Sequence, residues 1–190
     1  MKIKFLKKMT MEECIVSDER IILARVGENL AYIDYACEEL RNNESFVLKV
    51  IEKNPYCLNH LPEKFKHDKK IIIKCAKVDG NILNIVPEDF AYDEDVVFEC
   101  IKNTASALQF APISLTKNRD FLLKSLKGCS SSILMWVPNE VREDKDFMLN
   151  AMKIHPSIER FAPKELRLDD DFILVSNQVN PNKKKFYYYN

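Results

Sequence analysis

The chain has 190 residues, of which 46% are hydrophobic, and its 29 Lys and Arg residues balance 29 Asp and Glu residues. This balance argues against a nucleic-acid-binding protein and against a polybasic protein of membrane surfaces, because both normally carry surplus positive charge. Three glycines are few for the tight turns of a β-rich fold, so the composition favours helices. The apolar runs are too short for membrane insertion.

The first predicted element is a half unit at residues 1–17. Residues 5–17 look like the second half of the repeat described below, with Ile15 in the register of Leu40. We expect this segment to cap the N-terminal end of a helical array. Residues 1–8 are basic but lack the apolar stretch of a secretory signal. This indicates a cytoplasmic protein, or one in the host-cell cytoplasm if its source is an intracellular bacterium.

From Asp18 onwards the sequence repeats with a period of 25 residues. Asp or Asn recurs at steps of 25, 25, 25, 25, 26 and 25 residues, at Asp18, Asn43, Asp68, Asp93, Asn118, Asp144 and Asp169. An apolar run starts three residues after each, and later in each unit comes Cys37, Pro62, Pro87, Pro112, Pro138 or Pro163. Such a period is typical of tandem arrays and predicts six units, at 18–42, 43–67, 68–92, 93–117, 118–143 and 144–168.

Each unit is predicted to fold as a helix, a turn and a second helix. The recurring Asp or Asn is the expected N-cap of helix A, since its side chain can accept a hydrogen bond from a free amide. Helix A should end at breakers such as Asp79-Gly80, and a short helix B follows. The recurring proline should end helix B and start a further turn. Where Cys37 replaces that proline, helix B is expected to run unbroken over about residues 29–40.

A unit of this length cannot bury its own apolar face, so we expect the units to stack on one another. The predicted fold is an all-α tandem-repeat α-solenoid of six 25-residue helix-turn-helix units, wound as a right-handed superhelix with a half-repeat cap at each end. Residues 169–178 are the expected C-terminal capping helix. Residues 179–190 form a tail that leaves the pattern after Pro181. We expect the array to be monomeric.

The repeated unit resembles the short helical repeat of the domain of unknown function 4116 family. The resemblance rests on the Asp, the apolar run three residues later, a Lys at the end of helix A, and a final aromatic-Ala-Pro-x-Glu-Leu segment. The best matches are residues 93–115 and 144–166, and the departures are Cys37 and a one-residue insertion near Ser130. Members of this family occur as tandem arrays without an established activity. The resemblance therefore implies fold and tandem arrangement, and no catalytic residues.

The six cysteines include no C-x-x-C pair, and we interpret them as free thiols of a reducing compartment. Cys75 and Cys100 occupy one small position of helix A, which indicates core packing. Cys57 and His60 form a C-x-x-H pair without a third orienting group or further metal ligands. We therefore predict no catalytic, cofactor or metal site. The alternatives are a thiol-dependent enzyme or secreted bacterial effector using Cys57 or Cys129, and a regulatory repeat segment of a larger protein.

Two neighbouring columns in helix B indicate a protein-binding surface. The first contains Tyr35, His60, Ile85, Phe110, Trp136 and Phe161, and the preceding column contains Asp34, Asn59, Asn84, Gln109, Met135 and Arg160. Packing between units is the alternative explanation of the aromatic column, but the polar column indicates that helix B faces solvent. Aromatic and Arg side chains dominate protein interfaces. We predict a non-catalytic scaffold that binds a protein partner through its helix-B face, with contacts from Tyr35, Asn59, His60, Asn84, Gln109, Met135, Trp136 and Arg160.

Overall fold

The computed structural model describes residues 16–181. Most of the expected N-terminal half unit, residues 1–15, and most of the expected tail, residues 182–190, lie outside the described residues. Within residues 16–181 the chain forms α-helices and 3₁₀ helices, and its β-structure is limited to an isolated bridge between Val16 and Ala36. The predicted all-α repeat fold is therefore confirmed. We number the predicted units 1 to 6 in chain order.

Helix A begins directly after the recurring Asp or Asn in every unit. Its bounds are Glu19–Arg25, Glu44–Lys53, Lys69–Val78, Glu94–Asn103, Arg119–Leu126 and Lys145–Ile154, and a further helix of this kind spans Asp170–Val179. Each of these helices has the recurring side chain as its N-cap acceptor. In unit 6, for example, Asp144 Oδ1 accepts from the Phe147 amide at 2.9 Å. The predicted capping role is confirmed, and the cap sets where each helix starts.

Helix B is a 3₁₀ helix, and a separate α-helical turn follows it. The 3₁₀ helices span Leu30–Tyr35, Pro55–His60, Gly80–Asn84, Ala105–Phe110, Ser131–Trp136 and Pro156–Phe161. The α-helical turns span Glu38–Arg41, Glu63–Lys66, Glu88–Ala91, Ile113–Thr116, Asn139–Arg142 and Lys164–Arg167. In units 2 to 6 the recurring proline is the N-cap residue of this turn. The proline thus separates the two elements, as its missing amide predicts.

The expectation of an unbroken helix over residues 29–40 in unit 1 is wrong. Cys37 has φ −60° and ψ 157°, close to φ −59° and ψ 159° at Pro163, so the chain breaks here as in the other units. The Cys37 amide, which a proline would lack, donates to the Val16 carbonyl at 3.0 Å. The Cys37 sulfur in turn accepts from the Leu40 amide at 3.4 Å. The break after helix B is therefore a feature of all six units, and it forms with cysteine as well as with proline at this position.

The units stack side by side in two rows. Each helix A packs on helix A of the next unit, and the 3₁₀ helices lie in a second row. Units 2 and 3 are joined in that row by the Tyr56 hydroxyl, which donates to Asp79 at 3.1 Å. Helix A supplies fully buried residues at one repeated position, namely Val47, Ile72, Val97, Leu122 and Met148. The core is therefore continuous along the stack, because each unit covers the apolar face of its neighbour.

None of the helices within residues 16–181 is both long enough and apolar enough to cross a lipid bilayer.

Candidate functional site

The last residues of the 3₁₀ helices occupy equivalent positions along the second row of the stack, and we call this set of positions the 3₁₀ ridge. The ridge consists of one pair of neighbouring residues from each unit: Asp34 and Tyr35, Asn59 and His60, Asn84 and Ile85, Gln109 and Phe110, Met135 and Trp136, Arg160 and Phe161. The first member of every pair is exposed, whereas the second is half-buried except for Trp136, which is exposed. All eight residues predicted to contact a partner therefore reach the surface, and their binding role stays a prediction.

Met135 and Trp136 are the most prominent apolar part of the ridge. Their relative exposures are 61% and 38%, and Trp136 is the single tryptophan of the chain. Arg160 occupies the equivalent position of the next unit, and its guanidinium carbon lies 4.6 Å from the centroid of the Phe161 ring. A cation over an aromatic face is attracted by the ring. The C-terminal part of the ridge thus contains exposed apolar side chains and a positive charge.

The N-terminal part of the ridge is held by a contact between units 1 and 2. His60 Nδ1 lies 3.1 Å from Asp34 Oδ2. The structure therefore places His60 against a carboxylate, where it links two units. Cys57, the other member of the C-x-x-H pair, is fully buried in the core. Burial raises the pKa of the Cys57 thiol above its ordinary value, with a further contribution from Cys75.

The middle of the ridge carries a row of amides. The side chains of Asn59, Asn84 and Gln109 are exposed at equivalent positions of units 2, 3 and 4. Within the described part of the chain, no protein group is hydrogen-bonded to these three side-chain amides. Each amide offers a donor and an acceptor to whatever lies on the ridge.

Cys75, Cys100 and Cys129 are packing residues. Burial raises the pKa of Cys75 and of Cys100 to about 12, and both side chains are fully buried. Burial also raises the pKa of Cys129 to about 11, although the nearby Lys102 ammonium opposes this effect. The thiolate is the nucleophilic form of cysteine, so thiols held in this way are poor nucleophiles at neutral pH. Among residues 16–181, no group of three His, Cys, Asp or Glu side chains is arranged to hold a metal ion.

A ladder of ion pairs joins the N-termini of successive A helices, and sequence reasoning missed it. Lys69 pairs with Asp93 at 2.8 Å, and Lys145 pairs with Asp169 at 2.7 Å. Arg119 pairs with Asp144 in the same way. In each case the residue after one N-cap reaches the N-cap of the next unit. The hydrogen bond from Lys145, together with that from the amide of Phe172, lowers the pKa of Asp169.

The sequence contains a signal for this ladder. In the ladder, a basic residue after one N-cap accompanies an Asp as the N-cap of the next unit. Where the next N-cap is Asn43 or Asn118, which carry no charge, the residue after the preceding N-cap is the acidic Glu19 or Glu94. The rule has an exception in Glu44, which precedes a unit capped by Asp68. The ladder joins neighbouring units at three junctions, which indicates a structural role.

A second surface lies on the helix-A side of the stack. An open groove of about 670 Å³ runs across units 3 to 5, with Ile73, Phe98 and Gly128 among its apolar and small lining residues. Three lysines and three carboxylates are also among its lining residues. The groove therefore has no net charge preference, and it contributes none of the predicted contact residues.

Four segments of the chain match the family model described as domain of unknown function (DUF4116), at residues 18–63, 43–91, 93–142 and 144–189. The chain belongs to the DUF4116 family. Each match begins at a recurring Asp or Asn and covers about two of the 25-residue units, so the first two matches are offset by one unit. No curated protein and no solved structure matches the sequence.

The last DUF4116 match continues to residue 189 and includes most of the segment expected to leave the pattern after Pro181. In the sequence, Asn180-Pro181 repeats the pair Asn54-Pro55, which starts the 3₁₀ helix of unit 2. The family match thus extends the repeat in sequence beyond the described residues.

Proposed function

We propose that this DUF4116 protein is a non-catalytic scaffold that binds a protein partner through the 3₁₀ ridge. The observation that supports this function best is the exposed pair Met135 and Trp136, with the exposed Arg160 at the next position of the ridge. Tryptophan and arginine are over-represented among the residues that dominate binding energy, and methionine is enriched in interfaces. Burying this pair against a partner would remove apolar surface from water, which is the main favourable contribution to protein association.

The stacked architecture supports a binding surface that extends over several units. Neighbouring 3₁₀ helices are tied together by polar contacts, such as the 3.0 Å hydrogen bond between the Ser131 and Ser157 hydroxyls. Beneath them lies a continuous buried core. A surface held in this way loses little conformational freedom when it binds, so more of the interaction free energy appears as affinity.

The cysteines favour the scaffold over the thiol-enzyme alternative. Cys57 and Cys129, the two candidate nucleophiles, are buried, and burial raises the pKa of each thiol. The five described cysteines are all free, which is typical of a reducing compartment. We therefore propose that the protein acts in the cytoplasm.

The test compares two ridge variants with a matched control. Met135→Ala and Trp136→Ala remove apolar side chains from the ridge. Ile113→Ala removes one that is also 61% exposed but lies in the α-helical turn of unit 4. The immobilised wild-type protein is used to capture a partner from lysate, and the purified partner is then titrated against each variant. We expect affinity to fall by at least about tenfold for the ridge variants and to be unchanged for Ile113→Ala.

Trp136 also provides a direct signal, because it is the single tryptophan of the chain. Adding the purified partner to the wild-type protein should shift or quench its emission if the partner is chosen to lack tryptophan, or is replaced by its tryptophan-free binding fragment. Circular dichroism of each variant shows whether the helical array is intact. The proposal is wrong if folded Met135→Ala and Trp136→Ala bind every captured partner as tightly as Ile113→Ala does.

A further inference from the structure

The junction between units 4 and 5 is an irregular point in the stack. Unit 5 is the unit with an extra residue, which lies near Ser130. Its helix A ends at Leu126 and has 8 residues, whereas helix A has 10 residues in units 2, 3, 4 and 6. In the described part of the chain, the contact between the A helices of units 4 and 5 is the least extensive of those between successive A helices. The irregularity in sequence therefore coincides with one in packing.

The preceding junction, between units 3 and 4, is tied at both ends of helix A. At the N-terminal end, Lys69 pairs with the N-cap Asp93 at 2.8 Å. At the C-terminal end, the side-chain amide of Asn103 donates to the Lys77 carbonyl at 2.8 Å. Because both ends of the helix are joined to the neighbouring unit, these two A helices cannot separate without breaking a polar contact.

Neither of these ties has a counterpart between units 4 and 5. At the N-terminal end, the lysine is replaced by Glu94 and the N-cap aspartate by Asn118, so no ion pair can form. At the C-terminal end, the asparagine is replaced by Gly128, which has no side chain to donate. The helix-A row thus loses both ties at the same junction.

Two exposed ion pairs are the polar side-chain links that cross this junction within residues 16–181. Lys117 lies 2.7 Å from Glu140, and Lys124 lies 3.7 Å from Glu94. All four side chains are exposed. Ion pairs between exposed side chains contribute little to stability, because water and salt screen the two charges. These pairs therefore do not replace the missing ties.

The two rows of the stack differ at this junction. The 3₁₀ helices of units 4 and 5 pack on each other nearly as extensively as those of units 3 and 4. On the other side, the open groove of about 670 Å³ is lined by Phe98 of unit 4 and by Phe121 and Gly128 of unit 5. A junction that is closed in one row and open in the other can bend about the closed row.

We propose that the junction between units 4 and 5 is a hinge. Units 1 to 4 form one block, the units from unit 5 onwards form a second block, and the two pivot about their 3₁₀ helices, which opens and closes the groove between the A helices. In hinge motions a few residues between packed elements absorb the change. This property of the stack does not depend on whether the ridge binds a partner.

The hinge divides the 3₁₀ ridge into two parts. The ridge residues of units 1 to 4 belong to the first block, whereas Met135, Trp136 and Arg160 belong to the second. Bending changes the angle between the two parts, while each part keeps its own arrangement. A ridge built in this way adapts its curvature at one junction.

Distances between pairs of spin labels, measured by pulsed electron paramagnetic resonance, test the hinge in the full chain. Labels at Lys70 and Asp120 span the junction between units 4 and 5. Labels at Ser45 and Asp95 are also two units apart, but both lie in the first block. All four residues are exposed and occupy the second position of helix A. The motion of the label itself therefore contributes similarly to both pairs.

The labels are attached to cysteines that replace these residues, in a background carrying Cys14→Ser and Cys37→Ser. The other four cysteines are buried. We expect the distance distribution of the spanning pair to be at least about twofold broader than that of the control pair.

A second arm of the experiment restores one missing tie. Glu94→Lys combined with Asn118→Asp places a base after one N-cap and an Asp at the next, as in the ladder. We expect these changes to narrow the spanning distribution to the width of the control pair. Glu19→Lys combined with Asn43→Asp is the matched control, since both glutamates are paired with a lysine of the following unit. It acts between units 1 and 2 and should leave the spanning distribution unchanged.

Two results would overturn the inference. One is a distribution for the spanning pair that is as narrow as that of the control pair. The other is a broad distribution that stays broad when the tie is restored, although circular dichroism shows an intact helical array. In that case the missing ties would not be the source of the breadth.

Discussion

Gly80 lies where units 3 and 4 approach each other closely, and replacing it tests how tightly the units are stacked. No glycine in the described part of the chain has a positive φ, so Gly80 is not required for an unusual backbone conformation. It is required for space. A Cβ atom at this position would overlap the carbonyl oxygen of Cys100 and lie 2.8 Å from its carbonyl carbon. The start of the 3₁₀ helix in unit 3 thus rests directly on helix A of unit 4.

The loss in free energy of unfolding expected for Gly80→Ala depends on which atoms would have to move. The Cys100 carbonyl already accepts a hydrogen bond from the Thr104 amide at 2.9 Å at the end of helix A. Relief by a side-chain rotation is therefore impossible, and units 3 and 4 must separate. Overpacking typically costs about 1–3 kcal/mol and occasionally more, and we expect at least about 3 kcal/mol here. Proteins of this size unfold with a total free energy of about 5–15 kcal/mol, so the effect is large.

The two other glycines provide graded controls. An added Cβ at Gly27 meets nothing within 4 Å, so Gly27→Ala should be neutral or stabilising by about 0.4–1 kcal/mol. At Gly128 it would lie 2.9 Å from the tip of the Phe98 ring, which can turn aside, so an intermediate loss is expected. Urea unfolding is followed by circular dichroism for the whole array and by Trp136 emission for unit 5. If Gly80→Ala unfolds at the same urea concentration as Gly27→Ala, the close packing described above is wrong.

Three further predictions concern caps, charge and thiols. Asp144→Ala should lower the free energy of unfolding by about 1 kcal/mol, and Asp144→Asn by less because the amide still caps helix A; urea titration measures both. The pKa of Asp169 is lowered in the fold, so its stabilising effect is complete above the ordinary carboxyl pKa and is lost as pH falls through the lowered value. The free energy of unfolding of Lys145→Gln should therefore fall less on acidification than that of the wild type. Parallel profiles of this free energy against pH for the two proteins would contradict the ladder. The half-buried Cys37 should react with a thiol reagent well before Cys75, whose pKa is raised to about 12, and equal labelling in peptide maps would contradict this order.

The register of the array could be predicted from sequence because its determinants act locally. An Asp or Asn caps the helix that starts one residue later, and the apolar run of that helix follows at once, so both lie within one short segment. The 3₁₀ geometry of helix B could not be predicted in the same way. Over six residues, such as Ala105–Phe110, periods of 3.0 and 3.6 residues place apolar side chains at nearly the same positions.

The candidate site was predictable as a set of positions but not as a set of contacts. The column Asp34, Asn59, Asn84, Gln109, Met135 and Arg160, which is polar except for Met135, indicated which side of helix B faces solvent, and all six residues are exposed. The pairing of His60 with Asp34, and that of Lys145 with Asp169, join residues 24 to 26 positions apart. Such contacts depend on how one unit is aligned on the next, which a single unit does not encode.

Unit 1 shows what the recurring proline contributes to the repeat. Cys37 adopts nearly the same backbone angles as the prolines of the other units, so proline is not needed to break the chain after helix B. Proline fixes φ and removes a donor, and it is tolerated only where no acceptor needs that amide. In unit 1 the acceptor exists, because the carbonyl of Val16 receives the Cys37 amide at 3.0 Å. Proline is therefore absent from the unit in which the backbone amide at this position donates a hydrogen bond to the preceding segment of the chain.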